Sequence, residues 1–245
     1  MAVILGLVLM VAIAGCGGSG HPSIPEQIAG LILDPDGTTL HGRFDCSGTL
    51  TAAETPTVVT LTWMKDYVGG GAGSCAGSPL AVHLTAPLGR RVLLDSVTQA
   101  PIVTLDLTHT PTTPAGLATP TAALQVEARD NLGTSTWCAA SARPYRMTTS
   151  RRDVTVVQFA DPTAGLTCGL DNIFMTPPAR GDRPTAASGA QQAEISAALT
   201  DLDLTLEPFT FALTWTEHGQ LVAALSDATT AAAQRDVEQF AESLR

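Results

Sequence analysis

From Gln27 onward the chain is written in short apolar runs separated by turn residues, with apolar and polar side chains alternating inside several of them. Thr57 to Met64 sets Val59, Leu61 and Trp63 against Thr60 and Thr62, and that period of two predicts a half-buried strand. Leu31–Leu33 and Thr39–Cys46 flank Asp34-Pro35-Asp36-Gly37, so they read as a hairpin. Ala81–Thr85 and Arg91–Leu94 around Pro87-Leu88-Gly89 read as a second hairpin. Ala123–Arg129 and Thr134–Ala139 around Asp130-Asn131-Leu132-Gly133 read as a third, and Val154–Ala160 as a further strand. Near the end, Leu202, Leu204 and Leu206 alternate with Asp203, Thr205 and Glu207, while Phe209, Phe211, Leu213 and Trp215 alternate with threonines and Ala212. Both stretches follow the strand period. Glu217-His218-Gly219-Gln220 then turns the chain back into Leu221–Leu225. Asp227 opens a helix with Ala233, Val237, Phe240, Ala241 and Leu244 at helical spacing.

These elements predict a mainly β fold: an antiparallel sandwich or open barrel, with the C-terminal amphipathic helix packed on a β meander. Gly69 to Gly77 reads as a loop. Thr108 to Thr121, with Pro111, Pro114 and Pro120, is excluded from central strands because proline cannot donate to a ladder. The expected organisation is a β domain over 28–160, a proline-rich connection over 161–190, and the meander with its helix over 191–245 as part of the same globule.

Ahead of these elements stands Met1 to Ala14, which carries no charged side chain and is too short for a bilayer core of about 20 helical residues. It leads into Ile13-Ala14-Gly15-Cys16 and then Gly17-Gly18-Ser19-Gly20. This stretch resembles the leader and lipobox of bacterial lipoproteins. The resemblance implies a signal peptide over 1–15, a diacylglycerol on Cys16, and a protein held by lipid at the outer face of the cytoplasmic membrane or at another envelope membrane. Residues 16–27 then read as the lipidated cysteine and a flexible tether, being rich in Gly, Ser and Pro without apolar period.

Charge narrows the partners. The net charge is −10, with none of it in the leader, which argues against nucleic acid and against electrostatic docking on anionic lipid. With Cys16 assigned to lipid, Cys46, Cys75, Cys138 and Cys168 remain, an even set that in an exported chain points to disulfides. Separations of 29 and 30 residues favour Cys46–Cys75 and Cys138–Cys168, with Cys46–Cys138 as the alternative. Zinc is disfavoured, since no two cysteines have the close spacing of a zinc knuckle.

Candidate chemistry is sparse. There is no G-x-S-x-G elbow, and His21, His41, His83, His109 and His218 fall in no paired ligand spacing, so no catalytic residue, metal or cofactor is expected. His83, between Val82 and Leu84, reads as an outward strand position. Asp34-Pro35-Asp36-Gly37 favours a turn over a calcium loop, and Gly69 to Gly73 lacks the Lys and Ser/Thr of a phosphate loop. Ile173-Phe174-Met175 reads as a core plug. Arg143, Arg146, Arg151 and Arg152 put four basic residues within ten positions, a solvated face or a contact for an acidic polymer or anionic headgroup. The sequence therefore predicts a lipid-anchored, non-catalytic binding or structural module of the envelope, with an envelope protein or polymer as partner. A β-cavity carrier of a small or apolar ligand, or an enzyme built from scattered residues, are the alternatives.

Overall fold

The computed structural model describes residues 23–44, 46–66, 78–111, 116–131, 136–160, 183–204 and 206–245. Among these described residues fifteen strands form three open, mostly antiparallel sheets, and two α-helices pack on them.

The first two sheets form a sandwich. One contains β1 (Ser23–Glu26), β4 (Gly48–Glu54), β5 (Val58–Asp66) and β7 (Val92–Asp95); β5 takes β4 along one edge and shares its other edge between β1 and β7. The second contains β2 (Gly30–Leu33), β3 (Thr39–Phe44), β6 (Ser78–His83) and β8 (Val103–Asp106), in the order β6-β3-β2-β8. Leu31, Leu33, Leu40 and Phe44 from this sheet pack against Leu50, Val59, Leu61 and Trp63 from the first. The alternation of β5 puts Val59, Leu61 and Trp63 inside, and all three are buried.

The third sheet organises the rest of the chain. It contains β10 (Gln125–Asn131), β11 (Thr136–Met147), β12 (Asp153–Phe159), β15 (Gln220–Ser226), β14 (Phe211–Glu217) and β13 (Thr185–Ala186) in that order, and β9 (Ala118–Pro120) shares an edge of β11 with β10. One face, carrying Ala140, Ala142, Val157 and Ala223, is covered by α1 (Gly189–Asp201) through Ile195, Ala198 and Leu199. The other face is divided. Tyr145, Val154, Leu213 and Trp215 lie under α2 (Ala231–Glu242), whereas Trp137, Ala139 and Ala160 lie against Ile32, Leu105 and Leu107 of the sandwich side. Small alanines along β11 and β15 let both layers approach the sheet closely, as interior packing at crystal-like density demands.

The joint between sandwich and large sheet is specific. Gly30 has no side chain because the Trp137 ring occupies its place: a Cβ there would lie 2.1 Å from the indole. Beside this contact, Gln158 donates to the Asp106 carbonyl at 3.1 Å and to the Gln220 side chain, and Gln220 donates to the Thr104 carbonyl at 3.3 Å. Two buried amides therefore satisfy carbonyls of β8, the edge strand of its sheet. At the rim, His109 stacks on His218 with ring centroids 4.0 Å apart.

Several expectations are met directly: β2 and β3 form the hairpin around Asp34–Gly37, β14 and β15 turn at His218-Gly219, and α2 packs on both strands of that meander. His218 and Gly219 both have positive φ, the geometry of a tight two-residue hairpin.

Others are corrected. β6 and β7 are not a hairpin: β6 pairs with β3 in one sheet and β7 runs parallel to β5 in the other, so the Pro87-Leu88-Gly89 turn carries the chain across the sandwich. Arg91 fixes that crossing, donating to the Ala86 and Pro87 carbonyls and pairing with Glu54 at 2.5 Å. Burial acts to raise the Glu54 carboxyl, yet hydrogen bonds from Arg91 and the Thr85 amide hold it below its ordinary value. Leu202, Leu204 and Leu206 are not a strand either. Leu202 caps the C-terminus of α1, Asp203 takes a positive φ, the Leu204 amide donates back to the Leu199 carbonyl at 3.0 Å, and Leu204 and Leu206 pack in the same cluster as the helix. Residues 23–26 of the expected tether form β1, an edge strand in which Pro25 is tolerated.

Candidate functional site

α1 leaves part of its face of the large sheet open. On β11 the even positions share that face, so Pro144 and Arg146 extend the row of Ala140 and Ala142 beyond the helix; on β12, Asp153 and Thr155 extend Val157 and Phe159. Together with Leu225 and Asp227 they floor a cleft of about 710 Å³, and Leu206, Glu207, Pro208 and Phe209, the segment between α1 and β14, wall it. That volume lies within the ~300–1,000 Å³ of small-ligand sites. The same wall segment lines a smaller cleft of about 400 Å³ against Gln192, Ser196 and Thr200 of α1.

The floor is amphipathic. Pro144, Leu225, Leu206, Pro208 and Phe209 supply apolar surface, and Thr121, Gln125, Thr155 and Ser226 supply hydrogen-bonding groups. At the charged end Arg146 pairs with Asp153 across the β11–β12 register at 2.5 Å and donates to the Arg151 carbonyl at 3.0 Å. Arg152 pairs with Asp227, joining the start of β12 to the end of β15.

The four clustered arginines are therefore not one patch. Arg146 lines the cleft and Arg152 reaches its rim through Asp227. Arg143 alternates to the opposite face with Tyr145, and Arg151 is exposed in the turn with a φ of 53°. Two of the four spend their charge on aspartates. Sequence proximity drew attention to the right strand pair, but the aspartates and the 206–209 wall were missed. Arg146 and Asp153 stand seven positions apart, and only the β11–β12 register makes them neighbours.

Cys46 and Cys138 are both buried, and each is disulfide-bonded. Cys138 shares the α1 side of the sheet with Ala140, away from the sandwich that carries Cys46. Cys16, Cys75, Cys168, Gly69 to Gly77 and Ile173-Phe174-Met175 lie outside the described residues.

His21 lies outside the described residues, and the described histidines serve local structure. His41 pairs with Asp34 at 2.9 Å, and His83, exposed on β6, meets the Thr39 hydroxyl at 3.1 Å. In the same turn Asp36 accepts from the Thr39 hydroxyl and from the Thr38 and Thr39 amides, which holds its carboxyl at about 2. Those bonds occupy both carboxylate oxygens in turn geometry. Burial pushes the Glu194 carboxyl of α1 up. Among the described residues no group of three or more His, Cys, Asp or Glu is placed to hold a metal ion, and no helix is long and apolar enough to cross a membrane.

Comparison of this chain with family models, with curated proteins and with solved structures finds no match.

Proposed function

We propose that this is an exported protein, anchored to an envelope membrane by lipid on Cys16, whose folded part is a non-catalytic binding module with its partner seated in the cleft over β11, β12 and β15. The supporting observation is that cleft: a helix-free part of an otherwise covered sheet face, with apolar walls and a charged end. The sandwich supports a binding module over a carrier, because its interior is filled by Phe44, Leu61, Trp63 and their neighbours. Anchoring falls to the acyl groups, since two chains hold a protein stably where one holds it marginally, and the chain's charge of −10 opposes anionic headgroups. Disulfides Cys46–Cys75 and Cys138–Cys168 complete this reading, each constraining the unfolded chain by roughly 3–4 kcal/mol.

The experiment is photo-crosslinking in intact cells from a reactive residue placed at Phe209, with Thr62 on β5 as the control position. A discrete adduct from position 209 and none from position 62 is the expected result. Adducts of equal yield from both positions, or none from 209, would contradict the assignment of the cleft.

A further inference from the structure

Resting on that assignment, we propose that the cleft takes a cation: a Lys or Arg side chain of an extended peptide segment, flanked by apolar residues. The arginine cluster suggests the opposite sign when read along the chain. In the fold, however, Arg146 is joined to Asp153 and Arg152 to Asp227, so each guanidinium is already matched by a carboxylate. Glu207 adds a third carboxylate to the cleft, exposed on the wall and without an ion-pair partner among the described residues. Two matched pairs and one unmatched carboxylate leave the charged end negative, in a chain that is itself strongly acidic. An anion approaching either guanidinium meets the carboxylate already paired with it, and Glu207 besides. A cation meets Glu207 and the outer oxygens of Asp153 and Asp227, with an excess of carboxylate over guanidinium around it. Side chains of Asp153 and Asp227 keep relative exposures of 55% and 69%, so both remain reachable.

The rest of the cleft fits a peptide rather than a bare ion. Pro208, Phe209 and Leu225 offer apolar contact next to the charged end, while Thr155 and Gln125 supply groups for main-chain amides. Amphipathic surroundings of this kind select a charged head on an apolar stem, which is how Lys and Arg distribute their own surface.

The test titrates the detergent-solubilised full-length protein with two fluorescent pools of short peptides. The pools share Leu, Val, Phe and Pro at the flanks and carry either Lys/Arg or Asp/Glu at the centre. The basic pool is expected to bind more tightly, Glu207→Gln to weaken it about three- to fivefold as for an exposed ion pair, and added salt to weaken it further. The double variant Asp153→Asn/Asp227→Asn, which releases both guanidiniums, is expected to reverse the preference toward the acidic pool. Circular dichroism confirms that each variant is folded. Preference of the wild-type protein for the acidic pool would overturn the cation assignment while leaving the cleft as the site. Binding of neither pool would overturn the peptide assignment, and the Phe209 crosslink reports on the cleft independently.

Discussion

Replacing Phe240 by Ala is expected to destabilise the protein by about 3–5 kcal/mol, the cost of truncating a buried aromatic side chain. Phe240 is 2% exposed and stands at the centre of the contact between α2 and the large sheet, with its ring 5.8 Å from that of Tyr145. Tyr145 is also buried, its hydroxyl donating to the Pro111 carbonyl at 3.4 Å, so it has little freedom to collapse into the space left behind. The helix itself has modest means of persisting alone. It is 12 residues long, below the length at which isolated helices hold in water, and Thr230 caps only its first turn. Chemical denaturation should therefore show a lower midpoint and an early loss of helical signal. A change under about 1 kcal/mol would mean that α2 is not docked on β14 and β15 as described.

Gly30→Val is expected to cost about 3 kcal/mol, at the upper end for overpacking, because the added side chain must displace an indole rather than fill a void. The position is within β2, with Trp137 of β11 lying directly on its backbone. Strain enters at the joint, so the loss should appear as weakened protection of the Gln158 and Gln220 amides and of β8 in hydrogen exchange, before the sandwich core opens. Combining Gly30→Val with Trp137→Ala supplies the control. The double variant should recover part of the loss, because the two residues compete for one space, and simple additivity would show that they do not touch.

How much of this was legible in the sequence depended on whether the signal was local. Strands β2, β3, β5, β14 and β15 carry clear alternation or strong turns, and α2 carries a helical period ending in Phe240-Ala241. Leu202, Leu204 and Leu206 alternate with polar residues as a strand would, yet Leu202 caps α1 and Asp203 turns the chain with a positive φ, so the alternation marks the exit of a helix that carries no such local pattern. The available signal was Ser188 with Gln191 three positions on, a capping box realised in both directions. Pairing of β7 with β5 in parallel is a contact across thirty-odd residues, and no local pattern around Pro87-Leu88-Gly89 distinguishes a hairpin from a crossing. The cleft was legible least. Its arginines stand together in sequence, but what decides their chemistry is Asp227, brought to Arg152 from 75 positions away by the β12–β15 ladder. Long-range charge matching of this kind has no signature in composition or spacing.

The mass of the N-terminal fragment of the protein taken from its own membranes tests the proposed lipid anchor on Cys16 most directly. The predicted fragment begins at Cys16 and carries a thioether-linked diacylglycerol on its sulfur. A fragment that retains Met1 to Gly15, or that shows Cys16 without lipid, would contradict the proposed anchoring.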